Sequence, residues 1–169
     1  MQPTPSLSHF TRKDYLHIYE PQEDTFLLLD ALEQELPALA LLNPTLVLEV
    51  GYFLNLSRSG SGCVSAFLGG LLPRSVLMAT DINADACTGT LETCARNNRT
   101  IDSIRSDLGA GFQARLEGLV DVLVFNPPYV VTAPSEVGSH CIDAAWAGGI
   151  NGRQVIDRFM PIAAVLHLI

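Results

Sequence analysis

Four short strand-like runs, the apolar Thr45 to Val50, Val76 to Thr80 and Val120 to Phe125 and the weaker Ile101 to Ser106, alternate along this chain with stretches of helical patterning. That alternation narrows the fold more than any other feature. A strand that follows an intervening helix pairs parallel to its predecessor through a right-handed crossover, so a mostly parallel, doubly wound α/β sheet is expected. The first helix opens at Glu20-Pro21-Gln22-Glu23-Asp24-Thr25, with proline where a helix start tolerates it and acids at the positive end of the dipole. Phe26, Leu27, Leu28, Leu29, Leu32 and Leu36 are its expected buried face, and Asn43-Pro44 its end. Further helices are expected over Val64 to Leu72, Asn83 to Asn97 and Gly152 to Ile169. Residues 1–19 read as a flexible N-terminal segment and 20–169 as one domain.

In such sheets a ligand lies outside the carboxyl ends of the strands. Asp81, Asp107 and Asn126 fall at the ends of the second, third and fourth runs. Asp81 follows Gly62 by 19 residues, the spacing of a carboxylate that grips ribose hydroxyls. A dinucleotide is the rival ligand on that spacing, but Gly51, Gly60 and Gly62 do not make Gly-x-Gly-x-x-Gly. Asp107 also suits a helix cap, and Asp81 a cap for the helix at Asn83. Asn126-Pro127-Pro128-Tyr129 directly follows the last run. Its prolines fix φ and remove two backbone donors, leaving local carbonyls free to accept hydrogen bonds. The Asn126 carboxamide complements another planar amide or an adenine edge, and the Tyr129 ring can stack on that plane.

Composition removes several classes of function. Ten basic and 18 acidic residues give a net charge of −8, and the basic ones are scattered, so direct contact with nucleic acid is disfavoured. Cys63, Cys87, Cys94 and Cys141 contain no Cys-x-x-Cys pair, and His9, His17, His140 and His167 show no ligand-like spacing; no metal site is expected. No apolar stretch reaches the ~20 residues of a membrane helix, and Met1 to Phe10 lacks a signal pattern. A soluble, cytoplasmic protein is expected, with the nucleus as a second compartment. Hydrophobic residues make up 48% and charged residues 17%, a balance that suggests an apolar face covered by a partner.

The tetrapeptide resembles the signature of amino-methyltransferases acting on glutamine, adenine or cytosine. Over roughly residues 17–165 the chain resembles the eukaryotic–archaeal branch of HemK-type class I S-adenosylmethionine methyltransferases, which have a Rossmann-like fold. The motifs are Tyr19-Glu20-Pro21 through Asp24-Thr25-Phe26, Leu48-Glu49-Val50-Gly51, Thr80-Asp81-Ile82-Asn83 and Leu123 to Val130. Ala144-Ala145-Trp146-Ala147-Gly148-Gly149 and Asn151-Gly152-Arg153 complete the pattern. The resemblance implies methylation of the glutamine amide in the Gly-Gly-Gln tip of class-one translation release factors. It implies that Thr25, Glu49, Gly51, Asp81, Asp107, Leu108 and Asn126 contact S-adenosylmethionine. Asn126, Pro127, Pro128 and Tyr129 would hold the substrate amide, with Asn126, Pro127 and Tyr129 as the catalytic set. A small zinc-binding activator is the implied partner.

Two departures qualify that pattern. Tyr52 to Arg58 intervenes between Gly51 and Ser59-Gly60-Ser61-Gly62, where the family reads Glu-Val-Gly-Ser-Gly-Ser-Gly without interruption. A longer loop costs little closure entropy, but its apolar residues are expected to reach the cofactor cavity. The family also continues past the Gly152 helix with further strands, so an incomplete methyltransferase domain with an open sheet edge is expected, in which Val122 and Val124 lose cover. A catalytically inactive, partner-binding form of the same fold is the alternative reading, and an adenine-N6 nucleic-acid methyltransferase the third.

Overall fold

The computed structural model describes residues 2–16, 18–52, 60–137 and 147–167. Strands β1 (Leu46–Val50), β2 (Val76–Asp81), β3 (Asp102–Arg105) and β4 (Val122–Phe125) pair in parallel, in the order β3-β2-β1-β4. The helices are α1 (Glu23–Gln34), α2 (Leu36–Leu42), α3 (Cys63–Leu71), α4 (Ala84–Arg96) and α5 (Gln154–Leu166). This is the α/β, Rossmann-like arrangement of parallel strands with helices packed on them that the alternation dictates.

β1 is central and almost wholly apolar because both its faces are covered. Side chains alternate across a strand, so Val47 joins Leu29, Leu32, Phe67, Leu68 and Cys94 on the side of α1, α3 and α4. Leu48 and Val50 turn the other way, onto Leu108, Phe112, Val155, Phe159 and Leu166, where α5 covers the sheet. The same parity sends Glu49 to the α3 side, a charged group on an otherwise apolar face.

Three expectations are corrected. Phe26 and Leu27 are 44% and 70% exposed, so they are not part of the buried face of α1. The stripe that packs is Thr25, Leu29 and Leu32, spaced by four and three residues as one helical face demands. Leu36 belongs to the separate helix α2, which has Pro37 in its first turn and ends at Asn43 in the left-handed region. Val122 and Val124 retain their cover, at 9% and 7% exposure. β4 pairs with β1 alone among the described residues, but an absent neighbour exposes the backbone edge of a strand and not its faces. Helices pack on those faces and bury both valines within the α1–α3 cluster.

A two-stranded parallel sheet, β5 (Val130–Val131) with β6 (Ala147–Gly149), was not expected, because such short strands show no legible period. The N-terminal segment lies along α4: Ser6 N donates to Asn97 Oδ1 at 2.8 Å, Asn97 Nδ2 donates to the Ser6 carbonyl at 3.0 Å, and Ile18 is buried. Of the interrupting segment only Tyr52 is described; Phe53 to Arg58, and also Ala144 to Trp146, Cys141, His17 and His140, lie outside the described residues. No helix of the described residues is long and apolar enough to cross a membrane.

One carboxylate ties the starts of β1 and β4 together. Asp121 Oδ2 accepts from Thr45 N at 2.7 Å and Leu46 N at 2.9 Å. These bonds hold its carboxyl below the usual carboxylate range. We expect Asp121→Ala to cost about 1 kcal/mol near neutral pH, the value of screened, charge-assisted bonds. A depressed folded-state pKa contributes above the unfolded value and is lost as pH falls through the folded one. Denaturant titrations of variant and parent should therefore converge in acid; a gap that persists there would contradict this account.

Candidate functional site

The carboxyl ends of β1, β2 and β4 open onto one cavity. Glu49, Val50 and Gly51 line it from β1, Ala79, Thr80 and Asp81 from β2, and Asn126 from the residue after β4. Tyr19 and Thr25 close it from the start of α1, and Gly60 to Val64 from the start of α3. At Gly51 the backbone passes so near β2 that its N donates to the Thr80 carbonyl at 2.6 Å. A Cβ on Gly51 would fall 2.4 Å from Asp81 Oδ2, so only glycine lets the two strand ends sit together.

Asp81 is held at this rim by an Asx turn, its Oδ1 accepting from Asn83 N at 2.8 Å. Asn83 is the side chain that caps α4, accepting from Asp85 N at 2.9 Å, so the cap alternative for Asp81 is not what the structure forms. Glu49 accepts a short hydrogen bond from Ser65 Oγ. Burial nevertheless pushes its carboxyl above the ordinary range, with the Ser65 bond opposing the shift. Nearby Cys63 and Cys94 are pushed by burial up to about 12, which leaves them as inert thiols. None of the described lining residues is Lys, Arg or His. Two carboxylates without a basic neighbour suit a ligand bearing positive charge and hydroxyls, and they repel the pyrophosphate of a dinucleotide.

Of the tetrapeptide, Asn126 lines the same wall, whereas Pro127, Pro128 and Tyr129 are not among the lining residues. Asn126 Nδ2 donates to Asp24 Oδ2 at 2.8 Å, and Tyr19 Oη donates to Asp24 Oδ1 at 3.0 Å. Pro127 is half-buried, Pro128 is buried and Tyr129 is 56% exposed. The Gly148-Gly149 and Asn151-Gly152 motif braces the tetrapeptide from beneath. A Cβ on Gly152 would fall 2.1 Å from the Tyr129 carbonyl, and its φ of +68° also requires glycine.

Asp107 and Leu108 do not line this cavity. The Asp107 carboxylate accepts from Arg158 Nη2 at 3.0 and 2.8 Å, and Leu108 is buried in the α5-side core. Arg158 also donates to Tyr52 Oη, and its guanidinium lies 5.3 Å from the Tyr52 ring centroid. Tyr52, the first residue of the interrupting segment, is thus drawn to the α5 side and is not among the cavity's lining residues. Arg158 escaped the sequence reading because a lone arginine within a helix carries no pattern. The sequence marks Asp24 as a charge at a helix start and as part of a family motif but gives it no site role, since its partner Asn126 lies 102 residues away.

No protein-family model matches the chain. Methyltransferase HEMK2 of Mus musculus is 52% identical to it over 165 residues, covering 97% of this chain and 73% of that protein. Methyltransferase HEMK2 of Homo sapiens is 52% identical over 160 residues, covering 94% of this chain and 71% of that protein. The eRF1 methyltransferase catalytic subunit mtq2 of Schizosaccharomyces pombe is 38% identical over 174 positions, covering 95% of this chain and 72% of that protein. More distant bacterial relatives bear the name release factor glutamine methyltransferase.

The buried acid of the cavity has a measurable cost. A carboxyl whose folded-state pKa is raised destabilises the fold above its folded value, and the deficit is absent below the unfolded value. Glu49→Gln should therefore melt higher than the parent at neutral pH, by roughly 2–4 °C for about 1 kcal/mol. The two should coincide in acid. Melting curves across the pH range decide it, and a variant that melts lower at neutral pH would show Glu49 to be satisfied as an anion.

Proposed function

This chain belongs to the HemK-type glutamine methyltransferases, and from that membership we propose that it transfers a methyl group from S-adenosylmethionine to a protein glutamine amide. The observation that carries the reading is one shared wall: Asn126, the candidate amide-binding residue, lines the same cavity as Glu49 and Asp81. The acceptor we assign is the Gly-Gly-Gln loop of a class-one translation release factor, whose glycines let it enter a narrow mouth. The names of the relatives from fission yeast and bacteria support that choice.

The cavity suits S-adenosylmethionine. Glu49 and Asp81 supply carboxylates for its cationic groups and ribose hydroxyls, and the first amides of α3 suit its carboxylate. We assign Thr25, Glu49, Gly51, Asp81 and Asn126 to hold it; Asp107 and Leu108, which the resemblance also implies, stand outside this cavity, on Arg158 and in the α5-side core. When bound, S-adenosylmethionine supplies a methyl group on a positively charged sulfur. The protein's task is to make an amide nitrogen, whose lone pair is delocalised, point at that carbon. Asn126 Oδ1 and the Pro127 carbonyl each accept one N–H of the substrate amide, and Tyr129 stacks on its plane. Transfer would break the bond from sulfur to the methyl carbon, form the nitrogen–carbon bond, release neutral S-adenosylhomocysteine and give up one amide proton to solvent. Positioning and electrostatics account for most of the rate gain, with no strong base required. A small zinc-binding activator is the partner we assign, which would cover exposed apolar side chains of the kind Leu27, Leu41 and Leu119 present.

Label transfer from S-adenosylmethionine tests the reading, with release factor and duplex DNA as separate acceptors, with and without the zinc-binding partner. Label is expected on the protein and none on DNA, since a surface of net charge −8 gains little counterion release from a duplex. Asn126→Ala should lower transfer by about 10²–10³-fold, whereas Tyr129→Phe should stay within about tenfold, because the ring and not the hydroxyl does the stacking. Label on DNA but not on the protein would reverse the substrate assignment.

A further inference from the structure

We propose that Asp24, itself held by Tyr19, fixes which end of the Asn126 carboxamide meets the substrate, and so makes the site choose an amide over a carboxylate. The inference rests on the glutamine reading above and adds a positioning residue to it. Asp24 stands in the first turn of α1, next to buried Thr25, so its backbone is anchored by the helix. Both of its oxygens have donors: Oδ1 takes the Tyr19 hydroxyl at 3.0 Å and Oδ2 takes Asn126 Nδ2 at 2.8 Å. Tyr19 and Asn126 both line the cavity, whereas Asp24 stands behind them.

A carboxamide has two ends of nearly equal shape and opposite hydrogen-bonding sense, and nothing in its own torsions favours one end strongly. A carboxylate only accepts. Asp24 therefore selects the NH2 end of Asn126, and Oδ1 is left for the substrate. Turning the carboxamide over would lose a charge-assisted bond and set an oxygen against the carboxylate. The consequence for recognition is direct. A glutamine side chain donates N–H to Oδ1. A glutamate side chain brings only acceptors, meets Oδ1 without a proton, and adds a negative charge near Asp24. A site built around such a bond rejects the analogue lacking it by orders of magnitude.

The test reads binding and does not depend on turnover. Affinities of a Gly-Gly-Gln peptide and a Gly-Gly-Glu peptide are measured by isothermal titration with the full chain and its variants. The parent should prefer Gly-Gly-Gln. In Asp24→Asn the two amides can pair either way round, so the Gln-to-Glu preference should fall by about tenfold or more, chiefly through gain of the Glu peptide. Asn126→Asp alone places two carboxylates face to face and should lose the Gln peptide. Adding Asp24→Asn to it restores a donor–acceptor pair and should recover that peptide, a rescue that a merely structural role would not produce. An unchanged preference in Asp24→Asn, equal losses for both peptides, or no rescue in the double variant overturns the inference alone. A parent chain with no preference for Gly-Gly-Gln overturns the substrate reading and the inference with it.

Discussion

The pairing of β1 with β2 on one side and β4 on the other sets the geometry of everything else. Val50 lies opposite Thr80 and Phe125, so the three strands end level and Gly51, Asp81 and Asn126 emerge on one rim. A slip of one residue in β1 would turn Glu49 to the α5 face and Leu48 to the α3 face, emptying both the cavity and the core of their proper side chains. The hydrophobic burial of Val47, Leu48 and Val50 thus does two jobs. It stabilises the sheet, and it holds the register that brings the polar groups together.

Charge is concentrated where the core would least accept it. Glu49 lies on a face otherwise occupied by Val47 and α3, and burial disfavours its charged form. Such a group is tolerated when a ligand of opposite charge repays the desolvation, which is the usual bargain of a functional site in an otherwise consistent fold. Asp107 contrasts with it: its carboxylate is already met by Arg158, at a half-exposed position on the other side of β1. The two acids carry equal formal charge, yet one is matched within the protein and the other faces the cavity.

The start of α1 serves as the fourth wall of a site otherwise built from strand ends. Tyr19, Asp24 and Thr25 come from one short stretch, and the helix that follows docks through Leu29 and Leu32 on the core. Packing at the far end of α1 therefore positions the group that grips Asn126. The Gly152 brace beneath Tyr129 plays a matching part from the C-terminal side.

Periodicity and turn chemistry determined much of this in advance. Four strands between helices, the Asn83 cap, and acids or an amide at strand ends are local facts, written in neighbouring residues and therefore legible in the sequence. So was the NPPY tetrapeptide, whose stiffness is a property of proline itself. The buried face of α1 was legible only in part, because a run of leucines fits several helical faces until a neighbour selects Leu29 and Leu32 over Leu27. What joins distant segments was decided by the tertiary structure alone: the level ending of β1, β2 and β4, the capture of Asp107 and Tyr52 by Arg158, and the bond from Asn126 to Asp24. No pattern announces such pairs in the sequence. A hydrogen bond across 102 residues has no local signature, and it exists only because the packed core leaves those two side chains 2.8 Å apart.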